Sequence, residues 1–532
     1  MRAFYYGMEH PNPMQLCLEM IAESNVVAVD IETASLDDET ILGIGITNSP
    51  LYGFYFMVGS EWMSKAIQIL ASPRTKVFHN SLFDLPILLQ YGFHVTEPIE
   101  DTMFLARHKG YPQKLTDLAA FYNYGDIQDI ADVLGDKKSM KDLPLDVVAT
   151  KCIRDIRATI HIYQKMSMES FPASYYIDSK VIPVLAEMQG RGLLVDQVER
   201  QRLEEVLVSN LSWYSKVCDQ HEFNPASPKQ VGMILAKRGN FLPFTKNKKH
   251  PQHRTGEEVL ESLNDPLAQL VLQFRHDAKQ LGTYVLPLKG QERAFTHFHL
   301  DAVTARVSSS KRNMQNIPPE LRTMFIPDAG IFTDLDFSQI ELRVLANISQ
   351  DPAMLEVFKN PDGTPEGDIH LSTMKAFDIA DRRIAKKYNF AMVYGAQSQL
   401  LAQICHIPLS TAYSFREAWF KKYKGVARWM KITQEFATKN HYVETMYGRK
   451  IYIKEFDMWG GLEDALKRAI NYPVQGTAAE IVKIAMVKCR HLPMLLQVHD
   501  ELLFNGKVVV PNLEDIAGFK TPYKIKLLER WS

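Results

Sequence analysis

"FTDLDFSQIELRVLANIS", Phe332 to Ser349, reads as a strand ending near Asp336, followed by a helix carrying Glu341. A second stretch, "LLQVHDELLF" from Leu495 to Phe504, reads as two apolar strands turning at His499 and Asp500. A charge taken out of water is costly unless it is paired or binds a metal. A tight turn at the rim of a sheet would present Asp500, and only tertiary folding could join it to Asp336, 500 − 336 = 164 positions upstream. Magnesium prefers six oxygens and often takes one or two carboxylates plus phosphates, which suits such a pair. Neighbouring side chains of an extended chain point to opposite faces, so Asp500 is the expected ligand and Glu501 an auxiliary group.

Working outward, the first 168 residues have an α/β pattern. "NVVAVDIET", "ILGIGIT" and "LYGFYFMVG" are β-rich runs separated by polar turns. Residues 169–295 are mainly helical, and 296–532 mix strands and helices again. This predicts a multidomain protein of α/β and α+β parts. The formal net charge of −1 gives no global basic signature, although local clusters suffice for nucleic-acid binding. Five cysteines with no C-x-x-C pair argue against a disulfide framework or zinc site. The start lacks a signal-peptide core and no run is apolar enough to span a membrane, so the expectation is cytoplasmic and not secreted.

Two further constellations stand out. "VVAVDIETASL" puts Asp30 and Glu32 on one face at the end of a strand, a start for a divalent metal site. "HNSLFD" adds Asn80 and Asp84, and "KCIRDIRAT" adds Asp155. Any one of these acids could equally be a solvated strand end or a helix cap. "DRRIAKKYNFAMVYG" carries Arg382, Lys386, Phe390 and Tyr394 at intervals of four, along one face of a helix that Gly395 is suited to end. Five basic and two acidic residues lie between Lys375 and Lys387. Charges followed by rings make a nucleotide cradle, or else an amphipathic helix with a solvated basic end.

The three acid motifs resemble the exonuclease domain of proofreading polymerases, an RNase H-like fold. The C-terminal motifs resemble family A DNA polymerases, the bacterial DNA polymerase I class. The resemblance implies an exonuclease domain at 1–168, a helical thumb region at 169–295, and palm and fingers at 296–532, with fingers at about 350–440. It implies Asp30, Glu32, Asp84 and Asp155 as exonuclease metal ligands, and Asp336 and Asp500 as polymerase ligands. Glu501 and Lys386 join them as catalytic groups. Arg382, Lys386, Phe390, Tyr394, His370 of "GDIHLST", Gln339 and Glu341 would bind the dNTP, with Glu341 disfavouring a ribose 2′-OH. Arg306, Gln315, Asn316, Asn471, Gln475, His499, Arg275 and Lys279 would contact DNA. Two chemically small departures are Ala391 for a usual Gly and Lys467 for a frequent Arg. A larger one is Lys151, where the family usually has Tyr, with Thr150 where a variant has His. Lysine is a poor base at an unperturbed pKa of about 10.4, so slower hydrolysis is expected.

The implied activity is template-directed DNA synthesis with 3′-5′ proofreading. It would use two Mg²⁺ per active site, with Mn²⁺ as substitute. Its substrates would be primer-template DNA and dNTPs, its state monomeric, and its partners a replisome helicase or single-strand-binding protein. The chain begins at the exonuclease, so no 5′-nuclease domain is expected, an architecture like that of phage enzymes. Competing readings are a dedicated nuclease, a non-enzymatic DNA-binding scaffold, and a related RNA polymerase or reverse transcriptase.

Overall fold

The computed structural model describes residues 3–7, 12–245, 251–359, 367–379, 381–458 and 460–532. Parts of the expected fingers (360–366 and 380) and of the loop at 245–256 (246–250) lie outside the described residues. No helix among the described residues is long and apolar enough to cross a membrane.

The N-terminal part is built on a six-stranded sheet of β1 (Ala3–Gly7), β2 (Val26–Thr33), β3 (Ile41–Thr47), β4 (Tyr52–Met57), β5 (Thr75–Phe78) and β6 (Ile99–Asp101), in the order β1-β4-β3-β2-β5-β6. The first four strands pair antiparallel, whereas β2-β5 and β5-β6 are parallel. Helix Leu145–Met166 lies directly on this sheet. Glycines make the approach possible: a Cβ on Gly45 would stand 2.6 Å from Cys152 Sγ, and one on Gly53 2.8 Å from Ile153 Cγ2. Gly45 of "ILGIGIT" and Gly53 of "LYGFYFMVG" thus set the height of the helix that carries Lys151, Cys152 and Asp155.

Helix Ala173–Arg191, grouped by the sequence with the helical middle, packs instead on helices Ser81–Gln90 and Leu462–Lys488. Its Val184 and Leu185 belong to one buried apolar cluster with Val29 and Phe54 of the first sheet and Leu335 and Leu502 of the C-terminal part. The helical middle therefore begins after Arg191. There, helices Gln197–Gln220, Pro228–Lys237 and Pro266–Gln280 enclose a separate core around Cys218, Val231, Leu235 and Val271. Two have Pro at their first position, and Asp196, Ser227 and Asp265 cap the three N-termini.

The C-terminal part centres on a four-stranded antiparallel sheet in the order Met494–Val498, Glu501–Asn505, Phe332–Phe337, Tyr523–Leu528. Helix Ile340–Ser349 leaves the third of these strands. Helices Ile369–Ala376, Arg382–Val393, Ser398–Cys405, Leu409–Lys422 and Lys424–Asn440 follow it in sequence. Helix Leu462–Lys488 then returns to the sheet.

A buried ionic cluster joins the N- and C-terminal parts. Asp178 Oδ2 lies 2.8 Å from Arg449 Nη2 and 3.1 Å from His108 Nε2, and Asp178 Oδ1 lies 2.7 Å from Lys483 Nζ. Arg449 Nε donates to Glu480 Oε1 at 2.8 Å. Burial holds the His108 ring below its usual pKa, so two acids balance two bases.

Candidate active sites

The first site forms where the central sheet ends. Val498 pairs with Glu501, so His499 and Asp500 make a two-residue hairpin turn, with His499 at φ 56°. Phe337 N donates to Asp500 O at 3.1 Å, which fixes the turn against the residue following Asp336. Asp336 and Asp500 thereby face one cleft of about 560 Å³, together with Ser338, His370, Arg382 and Lys386. Burial, then the charge of Asp336, pushes Asp500 up to about 6; burial raises Asp336 as well. Neither carboxylate has an ion-pair partner within 4 Å among the described residues. Two crowded acids in an open cleft fit divalent cations.

Glu501 sits opposite Asp336 in the strand register, but its carboxylate is engaged elsewhere. Trp531 Nε1 donates to Oε1 at 2.8 Å, and Arg322 Nη1 lies 3.5 Å from Oε2. Burial, with Asp334 beside it, pushes Glu501 up to about 7.

Helix Arg382–Val393 brings its stripe over this cleft. Arg382 is clamped by Asp368 Oδ2 at 2.9 and 2.5 Å, while the other oxygen of Asp368 caps helix Ile369–Ala376. Lys386 is exposed, with its Nζ 5.9 Å from the centre of the Phe390 ring. Phe390 and Tyr394 stack at 6.0 Å. Gly395 ends the stripe at φ 70°, where a Cβ would stand 2.6 Å from Ile470 Cδ1. Gln339 adopts φ 56°, and its Oε1 accepts from Ile369 N at 3.2 Å.

An adjoining recess of about 230 Å³ is lined by Arg306, Glu341, Lys386, Phe390, Tyr394 and Asp500, among others. Glu341 bridges two of them: Tyr394 Oη donates to Oε2 at 2.7 Å, and Arg306 Nη2 donates to Oε1 at 2.5 Å.

His370 is buried, and burial lowers its pKa to about 4. Trp419 Nε1, a donor only, points at Asn389 Oδ1 at 3.2 Å. This turns Asn389 Nδ2 toward His370 Nδ1 at 3.1 Å, so the His370 proton lies on Nε2. His370 is therefore a neutral donor at neutral pH.

The residues expected on DNA divide into two groups. Gln315 Nε2 donates to the carbonyls of Val307 and Gln497 at 3.1 and 3.0 Å, tying its loop to the hairpin. Arg275 holds the Thr255 carbonyl and hydroxyl inside the helical middle, so it is an internal tether there. Asn471 Nδ2 donates to Tyr394 O at 3.5 Å. Asn316, Lys279 and His499 are exposed, and Gln475 is half-buried.

The second site lies on the first sheet. Asp30, Glu32 and Cys152 each present one atom, all within 4.8 Å of one another. Asp84 Oδ1 accepts from Ile31 N at 3.1 Å, and burial pushes the group up to about 8. Asp101 positions Asp84: it accepts from Asn80 N, Ser81 N and Ser81 Oγ, and so anchors the start of helix Ser81–Gln90. Lys151 stands among the acids, its Nζ 2.7 Å from Glu32 Oε1 and 2.9 Å from Asp155 Oδ2.

Sequence reasoning missed Cys152, Asp101, Asp368 and Lys524. Asp101 carried a signal, an acid just before a helix. Lys524 faces Asp336 only through strand register.

A family profile described as DNA polymerase family A matches residues 197–513, and one described as 3′-5′ exonuclease matches residues 9–170. The chain is 32% identical over 491 residues to a DNA polymerase I of Synechocystis sp., covering 81% of this chain and 49% of that protein. It is 30% identical over 539 residues to one of Chloroflexus aurantiacus, covering 90% and 56%. It is 35% identical over 365 residues to the thermostable DNA polymerase I of Thermus thermophilus, covering 62% and 43%. The chain thus spans about half the length of the curated relatives it matches. Its fold matches a solved structure described as the POL domain of Pol1 from M. smegmatis in complex with DNA primer-template and dNTP. The TM-score is 0.80, the identity 24%, and the coverage 99% of both chains.

Proposed function

The chain belongs to DNA polymerase family A, and on that premise we propose that it extends a primer 3′ end with dNTPs and trims mispaired ends at a second site. The observation that carries this is the convergence of Asp336 and Asp500 in one cleft beneath the Arg382, Lys386, Phe390, Tyr394 stripe.

Asp336 and Asp500 would hold divalent cations, Mg²⁺ or in its place Mn²⁺, which when bound make the 3′-OH more acidic and balance the charge of the leaving pyrophosphate. The chain's own groups do the positioning. Arg382 exchanges Asp368 for phosphate oxygens, Lys386 adds a mobile charge, and His370 Nε2 donates a hydrogen bond. Phe390 and Tyr394 pack against the nascent pair, sequence-tolerant because every base has a π-face. Glu341, held from both sides, forms the floor under the sugar.

Asp30, Glu32 and Asp84 offer carboxylates for a cation at the trimming site, whereas the edge between Glu32 and Asp155 is filled by Lys151. The donor set there does not match two cations.

Primer-template DNA and dNTPs are the substrates in this reading. The enzyme acts as a monomer in the cytoplasm, with a helicase or single-strand-binding protein as replisome partners. Asp336→Asn should abolish primer extension and spare trimming, and Asp30→Ala should do the reverse. Extension by Asp336→Asn at the wild-type rate would contradict the assignment.

A further inference from the structure

We infer that Lys151 takes the place of one of the two cations of the trimming site, so that the pocket of Asp30, Glu32, Asp84 and Asp155 binds a single divalent cation. This rests on the nuclease reading of that pocket.

Lys151 and Asp155 lie one turn apart on helix Leu145–Met166, and Gly45 and Gly53 let that helix down onto the strands carrying the acids. The Lys151 side chain is 12% exposed, Glu32 is 4% and Asp155 is 13%. An ammonium at 2.7 and 2.9 Å from these carboxylates fills the space between them. A magnesium ion bridging the same oxygens would sit at about 2.0–2.1 Å from each, in the same volume. Ion and ammonium cannot share it. Either the lysine leaves, stranding a charge in a buried pocket, or the second ion stays out.

What remains suits one cation. Asp30 and Glu32 converge with Cys152 within 4.8 Å, and Asp84 is anchored beside them on Ile31 N. Cys152 Sγ lies 3.6 Å from Asp30 Oδ2 and walls this side of the pocket. The fixed ammonium balances the surplus acids but lacks the Lewis acidity that a second ion brings to a bound water.

The test counts ions. Mn²⁺ is titrated into the full chain carrying Asp336→Asn and Asp500→Asn, which silences the other acid pair, and free Mn²⁺ is read by electron paramagnetic resonance. One Mn²⁺ per chain is expected, abolished by adding Asp30→Ala. With Lys151→Met two are expected, the tighter one bound on the order of 10- to 100-fold more strongly. Lys151→Arg should keep one.

Two Mn²⁺ bound with Lys151 intact would overturn the inference, and this arm does not depend on any Lys151 variant folding. An unchanged count and affinity in Lys151→Met would overturn it as well. If no chain binds Mn²⁺, the nuclease reading itself fails, a distinct result. Melting in EDTA and in Mn²⁺ supplies a second readout: Mn²⁺ should raise the Tm of Lys151→Met more than that of the parent chain. Equal shifts would count against the inference.

Discussion

His370 reaches the cleft as a neutral donor because Trp419, which can only donate, orients Asn389. Between pH 6.5 and about 4 the unfolded chain binds a proton there that the folded chain does not. The stability this contributes is complete above pH 6.5 and is lost as pH falls toward 4. At pH 5 the cost is about 2 kcal/mol. Chemical denaturation of His370→Gln should therefore show a shallower fall between pH 7.5 and pH 5 than the parent; parallel curves would contradict the burial argument. At Glu341 the side chain is fixed by Tyr394 and Arg306, and in the proposed reading it stands where a 2′-OH would reach. Glu341→Ala should raise rNTP use relative to dNTP use by on the order of 10²-fold in single-nucleotide insertion. The i, i+2 spacing of Asp30 and Glu32 was legible because strand periodicity alone puts them together. The Lys151 bridge was not, since it depends on how closely two glycines let a helix approach.

At the scale of elements, the hairpin turn is the tightest constraint. His499 holds a left-handed φ of 56°, where a β-branched residue is strained. His499→Val should cost about 1–3 kcal/mol in denaturation, whereas His499→Gly should leave stability near that of the parent. If Val and Gly behave alike, the turn is not as described. The two strands and their turn could be read directly from "LLQVHDELLF", as could the stripe at intervals of four on helix Arg382–Val393. Less was visible where an element answers to distant partners. Helix Ala173–Arg191 looks like its helical neighbours in sequence, yet its buried face belongs to the main core. Glu501 follows Asp500 in the chain, yet Trp531 and Arg322 hold its carboxylate, a pairing no local pattern encodes.

Across the whole molecule, the N- and C-terminal parts share one apolar cluster and one buried ionic cluster. Asp178 alone faces Arg449, Lys483 and His108, from two helices and a hairpin turn. Asp178→Leu should destabilise the chain by about 3–5 kcal/mol, because it leaves buried cations unpaired. It should lower the unfolding midpoints of the N- and C-terminal parts together; loss confined to one part would contradict a shared core. The order of parts was legible from composition and motifs, but their fusion was not, because Asp178 and Lys483 are 305 positions apart. In the proposed reading, one chain carries both a synthetic and a trimming site. That reading is tested most directly by presenting matched and mismatched primers on a template, with divalent cation, in the presence and absence of dNTPs. The predicted result is extension of the matched primer with dNTPs, and slow 3′ shortening of the mismatched primer, more evident without them. Shortening without any extension, or no change to either primer, would contradict it.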